Sequence, residues 1–268
     1  MYAMHPPPSK TFVDSHFHVF AAGVGEPGAR YVPAYDAPLA GWQRAAQAAG
    51  VSRGVLVQTS FLGTDNTLLL QALRANPQAL RGIAVVAPGA RLEDLRAMDA
   101  AGVRGIRLNL AGRAGDIEAW AGASPVWDAL LALGWHVQLH TDRGGLPAAL
   151  ARLPQALPVV VDHMAKPAGV AAADASVQAL AARSRGAAVH VKLSGAYRLG
   201  GLDPAALARL WVGELGPRAL VWGSDWPCTN HETCADYPAL FAALHDWVPP
   251  EVAQAALGDN ALALYWRY

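Results

Sequence analysis

Asp14-Ser15-His16-Phe17-His18 sets two imidazoles two residues apart, directly after the β-branched and aromatic run Thr11-Phe12-Val13. That run favours extended backbone. In a regular strand Phe12, Asp14, His16 and His18 share one face, and Val13, Ser15, Phe17 and Val19 the other. Two imidazoles side by side can hold a metal ion or donate to a substrate carbonyl. His-x-His alone is a short pattern that core histidines also produce. It gains weight from other polar residues that close short apolar runs: Ser60, Arg107, Asn109, His140, His163, Ser194 and Asp225. Four histidines and an aspartate converging at one end of a set of strands describe a site for acid–base chemistry.

The elements that must position them alternate regularly. Strands are predicted at 12–19, 54–60, 80–86, 103–109, 135–140, 159–164, 189–194 and 220–225. Helices are predicted at 39–50, 64–75, 92–101, 116–133 (broken at Ser124-Pro125), 146–153, 171–185, 203–214, 237–246, 250–257 and 259–266. Parallel α/β structure follows from this alternation. With 268 residues, eight strands, and no phosphate-loop or dinucleotide glycine fingerprint, the expected fold is a closed (β/α)8 TIM barrel in one domain over residues 11–268. Residues 1–10, with Pro6-Pro7-Pro8, read as a flexible tail. In such a barrel the C-terminal strand ends carry the chemistry, and all the polar residues above stand there. The Gly- and Pro-rich stretch from Gly23 to Pro38, with Tyr31 and Tyr35, reads as a functional loop over the first strand. Arg107 shares parity with Val103 and Asn109. Trp222 and Trp226 have the opposite parity to Asp225 and are expected to pack on helices, while Gly223 leaves room beside Asp225 for a substrate or water.

Composition removes several function classes. Lys+Arg and Asp+Glu are both 21, so there is no global pull toward nucleic acid or a membrane surface. No apolar run of about 18 residues is present to span a bilayer, and the first ten residues lack the apolar core of a secretory signal. Cys228 and Cys234 match no zinc or redox spacing, and so few cysteines favour a reducing, cytoplasmic setting.

Several motifs together resemble the amidohydrolase superfamily: Asp14-Ser-His-Phe-His18, His140, Val160-Val-Asp-His-Met164 and Trp222-Gly-Ser-Asp-Trp-Pro227. Val57-Gln-Thr-Ser60, Gly63-Thr-Asp-Asn66, Arg104-Gly-Ile-Arg107 and Lys192-Leu-Ser-Gly-Ala-Tyr-Arg198 narrow the resemblance. They point to the branch holding 2-pyrone-4,6-dicarboxylate lactonases and their sugar-lactone and sulfomuconolactone-hydrolase relatives. The likeness runs from about Phe12 to Tyr265. It implies Asp225 as the base that activates water, and His16, His18 and His163 as groups that polarise a lactone carbonyl. It further implies Arg107, Arg113 and Arg198 as carboxylate holders, with Tyr31 and Ser60 as added donors.

Two features depart from the branch. Ala165-Lys166-Pro167 is closer to the sugar-lactone relatives. His140 could also join His16, His18 and Asp225 around a single divalent ion, zinc or manganese, although the pyrone lactonases need none. The expectation is a hydrolase acting on a small anionic lactone in the breakdown of aromatic compounds, with no obligatory cofactor and no nucleic-acid or membrane partner. Monomer and dimer both stay open. The alternatives are a metal-dependent sugar-acid lactonase, a related decarboxylase, and an inactive barrel that binds a small organic anion.

Overall fold

The computed structural model describes residues 11–234 and 236–266. Eight parallel strands run in sequence order: β1 (Phe12–Phe17), β2 (Val51–Val57), β3 (Leu80–Ala84), β4 (Val103–Asn109), β5 (His136–His140), β6 (Val159–Val161), β7 (Val189–Leu193) and β8 (Leu220–Trp222). A parallel bridge from Phe17 to Trp226 closes the barrel. There the Asp225 amide donates to the His16 carbonyl and the His18 amide to the Trp226 carbonyl, both at 2.8 Å.

The helices are α1 (Leu39–Ala48), α2 (Thr67–Ala75), α3 (Leu92–Ala100), α4 (Ser124–Ala132), α5 (Leu146–Ala151), α6 (Ala175–Arg183), α7 (Pro204–Leu215), α8 (Tyr237–Trp247), α9 (Pro250–Leu257) and α10 (Asp259–Tyr265). The expected barrel is therefore present; the tail expected over residues 1–10 lies outside the described residues. None of the described helices is long and apolar enough to cross a membrane.

Two apolar regions hold the barrel. The outer one lies between strands and helices, where Phe17 stacks on Trp42 of α1 at 3.9 Å between centroids and Trp222 packs on Tyr237 and Phe241 of α8. The inner one fills the barrel beneath the polar residues: Val13, Val55, Val57, Ile83, Val160 and Val221, closed below by Leu264, Tyr265 and Trp266. Above that layer the interior is polar, with Gln138 and Lys192 both fully buried.

Three local expectations need correction. The pairing register of β1 slips between Asp14 and Phe17. A bulge there puts Val13 and His16 inside but Asp14 outside, so Asp14 does not share a face with His16. Its carboxylate instead accepts from the His16 and Ser224 amides, the Ser224 hydroxyl, the Trp42 indole and the Tyr237 hydroxyl, at 2.7–3.1 Å. A second slip in β4 lies between the Gly82–Val103 and Ile83–Gly105 pairs, and Val103 packs in the outer region, away from the face of Arg107. The long sixth and eighth strands end early, at Val161 and Trp222, because the backbone leaves the extended region at His163 (φ 51°) and Asp225 (φ 58°).

Candidate active site

These two left-handed turns set the site. After β6, four consecutive non-glycine residues, His163 to Lys166, have positive φ. Such backbone is costly for L-residues by about 1 kcal/mol each and persists only where packing over-determines it. It swings His163 over the barrel mouth and brings Lys166 Nζ to 3.1 Å from His140 Nε2. Gly195 makes room for this turn, since a Cβ there would lie 2.5 Å from His163 Nδ1. Gly223 likewise admits a neighbour, because a Cβ in its place would lie 2.6 Å from that of His16. The space expected beside Asp225 is thus taken up by His16.

Asp225 is the hub. Its Oδ2 accepts from the Tyr197 hydroxyl at 2.6 Å and Arg198 Nε at 2.8 Å. Its Oδ1 lies 3.5 Å from His16 Nε2 and 3.4 Å from His18 Nε2, and His163 Nε2 is 3.9 Å from Oδ2. Burial works to raise the Asp225 pKa, but Arg198 and His163 outweigh it and hold the carboxyl well below its ordinary value. His18 Nδ1 lies 2.8 Å from the Val57 carbonyl, which only an N–H can satisfy. In the neutral ring Nε2 is then a bare acceptor. His163 Nδ1 meets the Ser194 hydroxyl at 3.1 Å. Burial lowers the pKa of His163 and of His140 well below the ordinary imidazole value, so both are neutral at pH 7.

Beneath this layer sits a second carboxylate. Asp162 accepts from Arg107 Nε at 3.2 Å, and its Oδ1 stands 3.2 Å from His16 Nδ1 and 3.7 Å from Lys192 Nζ. Burial raises its pKa, and His16, Lys192 and Arg107 together overcome this and depress it. Lys192 also donates to Gln138 Oε1 at 2.7 Å and reaches His16 Nδ1 at 3.3 Å.

A cavity of about 590 Å³ opens above the barrel, lined by His18, Ser60, Arg107, His140, His163, Arg198 and Asp225 from the strand ends. Arg30, Tyr31 and Arg113 line its walls as well. His16 is fully buried and lies behind the cavity lining, so among the three histidines expected at a carbonyl it alone is withheld from a ligand. Arg107 and Arg198 converge on the cavity. Arg113 stands at its edge, half exposed and paired with Asp116 at 2.7 Å. The Tyr31 and Tyr35 hydroxyls both donate to Glu232 at 3.0 Å, and of the two only Tyr31 lines the cavity.

His140 does not join the suggested metal set, because its nitrogens face Arg107 Nη2 (3.3 Å) and Lys166 Nζ (3.1 Å). His16, His18 and Asp225 do bring three donor atoms within 4.8 Å of one another, a number and type that suit a catalytic zinc. His18 fits a ligand role, with its second nitrogen on a carbonyl. His16 does not, because a lysine ammonium stands against its far nitrogen. With that ammonium in place, the set as arranged does not fit a metal ion.

Sequence reasoning does not single out Lys192, Tyr197, Asp162 and Lys166 as site residues. Alternation along β7, with Val189, Val191 and Leu193 outside, is the signal that could have found an inward Lys192. Tyr197 stands in a short 3₁₀ turn, Ala196–Arg198, where no periodicity exists to be read.

An eight-stranded parallel barrel with an aspartate after β8 facing a His-x-His pair on β1 has the layout of a hydrolase barrel. The chain is a member of the Amidohydrolase family, whose model matches residues 13–267. It is 32% identical to the 2-pyrone-4,6-dicarboxylate hydrolase of Comamonas testosteroni, over 95% of this chain and 90% of that one. It is 28% identical to the 4-sulfomuconolactone hydrolase of Hydrogenophaga intermedia, over 94% and 88%. Among solved structures, it resembles a probable 2-pyrone-4,6-dicarboxylic acid hydrolase from Acinetobacter baumannii with citric acid bound. That match has a TM-score of 0.83 and 29% identity, and covers 96% of this chain and 100% of the other.

Proposed function

We propose that the protein hydrolyses a lactone bearing carboxylate or similar anionic groups, of the 2-pyrone-4,6-dicarboxylate or muconolactone kind, in the breakdown of aromatic compounds. One observation carries the reading: Asp225 Oδ1 and the bare His18 Nε2 lie 3.4 Å apart on a cavity wall that Arg107 and Arg198 also line. A water there finds two acceptors, one of them a carboxylate able to take its proton. With the Ser194 hydroxyl donating to Nδ1, His163 presents Nε2–H to a lactone carbonyl, the place where negative charge grows. Water oxygen bonds to the carbonyl carbon as its proton passes to Asp225. The ring C–O bond then breaks and Asp225 returns the proton to the departing oxygen, giving the open-chain acid. Arg107 spends Nε on Asp162 and Nη2 on His140, and Arg198 spends Nε on Asp225 and Nη2 on the Thr229 carbonyl. The Nη1 ends are the parts available to a substrate carboxylate, for which guanidinium has the right geometry. A small anionic substrate and a chain with only two cysteines, both free, support a cytoplasmic setting.

The test is a substrate panel with Arg107→Met. Losing a charge-assisted pair worth about 1.5–3 kcal/mol lowers kcat/KM by roughly 10–100-fold on a pyrone dicarboxylate or muconolactone, mainly through KM. A neutral sugar lactone loses only the smaller part that comes from breaking the Arg107 pair with Asp162. Equal losses on both kinds would remove the anion-holding assignment, and turnover of neutral lactones alone would favour the sugar-lactonase reading.

A further inference from the structure

The fully buried Lys192 has no place in the hydrolytic steps above, yet it touches the one histidine that the cavity withholds. The hydrogen-bond pattern around His16 explains why it is there. His18 Nδ1 donates to the Val57 carbonyl, so in the neutral ring its Nε2 is an acceptor. His16 Nε2 lies 3.2 Å from that nitrogen and 3.5 Å from Asp225 Oδ1. Two lone pairs and a carboxylate oxygen cannot face one another unless something positive lies between them. With His18 neutral, either His16 Nε2 carries a proton or a cation occupies the space.

The opposite nitrogen decides between these. A neutral imidazole has one donor and one acceptor. If Nδ1 accepts from the Lys192 ammonium at 3.3 Å, the proton is on Nε2. If Nδ1 donates to Asp162 Oδ1 at 3.2 Å, Nε2 is free to ligate. A metal-bound histidine takes the second arrangement, with its remote N–H given to a carboxylate. Here the first has the better geometry: Asp162 Oδ1 is left without a hydrogen bond, whereas the Lys192 ammonium makes one to Nδ1. Gln138 Oε1, at 2.7 Å from Nζ, anchors the lysine in that position.

We propose that Lys192 is a positioning residue that holds His16 as its Nε2–H tautomer, so that His16 donates toward Asp225 Oδ1 instead of ligating a divalent cation. The lysine closes a three-donor metal site from behind. It also aims the carboxylate by giving Oδ1 a fixed donor. The inference rests on donor geometry and is independent of which lactone is the substrate.

The experiment is zinc binding and imidazole ¹⁵N NMR on the purified chain, neither of which needs a substrate. Lys192→Met frees Nδ1 to donate to Asp162, and zinc affinity measured by calorimetry rises by about 10–100-fold, the usual scale for a group that orients a metal ligand. Lys192→Arg retains the cation and binds zinc as weakly as the parent chain. In the parent chain, the His16 resonances, assigned by their loss in His16→Asn, show protonated Nε2 and unprotonated Nδ1. Zinc bound equally by parent and Lys192→Met would overturn the proposal. So would a protonated Nδ1 in the parent chain, a measurement that stands even if Lys192→Met does not fold.

Discussion

Asp225→Asn separates the chemical role of the hub from its structural one. The amide oxygen can keep the position of Oδ2, still accepting from Tyr197 and Arg198, which sit at 2.6 and 2.8 Å. The amide NH2 then takes the place of Oδ1 and can donate to His18 Nε2, 3.4 Å away, while the longer 3.5 Å contact with His16 is lost. The fold is therefore retained, and what disappears is the proton acceptor. General-base assistance is worth roughly 10²–10⁴ in rate, so kcat falls by that factor, about 3–5 kcal/mol on the barrier. Binding moves the other way. A substrate anion about 6 Å from the lost charge, at an effective dielectric of about 20, is relieved of up to about 3 kcal/mol of repulsion. Arg198, still hydrogen-bonded but no longer neutralised by a carboxylate, adds attraction. Affinity for an anionic lactone thus tightens, by about tenfold after screening, while turnover collapses. Stopped-flow or steady-state loss of pyrone absorbance gives kcat, and calorimetry with the unreacted ligand gives the affinity. A folded Asp225→Asn protein that turns over at the parent rate would refute the base assignment. Weaker binding would refute the electrostatic argument instead.

The other expectations are shorter. Because Asp225 is held well below the ordinary carboxylate value and acts when deprotonated, kcat/KM is flat on the acid side down to about pH 5; a pH–rate profile falling between 7 and 5 would show that another group controls the step. Depressed carboxylates at Asp162 and Asp225 add stability above their unfolded pKa, near 4, and lose it as pH falls through the folded values. The buried neutral imidazoles act at higher pH: the unfolded chain takes up protons at His16, His140 and His163 below about pH 6.5, so urea midpoints fall already between pH 7 and 5 and fall further below about 4. Asp14→Ala leaves the Trp42, Ser224 and Tyr237 donors unpaired where β1 meets β8, and costs about 4 kcal/mol in denaturant unfolding. A loss below about 1 kcal/mol would show that the network is replaceable.

The fold is legible because strand and helix periods alternate along nearly the whole chain, and most of the cavity rim is legible because barrel chemistry gathers at strand ends. What escapes does so for local reasons. Alternation assigns Asp14 and His16 to one face only if the strand is regular, and the bulge before His16 reverses Asp14 without any glycine or proline to announce it. The left-handed run from His163 to Lys166 is equally silent, since no glycine occupies it. Arg113 and Arg198 look alike as loop arginines. Only three-dimensional packing pairs one with Asp116 at the edge and the other with the buried Asp225. Lys192 is visible as part of a motif, but a lysine in mid-strand carries no chemical meaning until its neighbours are known.

Those neighbours also bear on the charge of the ligand. With His16, His140 and His163 kept neutral by burial, the deep part of the site sets Arg107, Arg198, Lys166 and Lys192 against Asp162 and Asp225. At the mouth Arg30 and Arg113 are matched by Glu26 and Asp142, which line the same cavity. The uncompensated positive charge is therefore concentrated beside the reacting centre rather than spread over the entrance. Buried charge without a partner is expensive, and a ligand that brings two negative groups removes the excess on binding. A neutral lactone displaces water from the same cations and offers nothing in return. The distribution supports the proposed preference for an anionic lactone over a neutral sugar lactone.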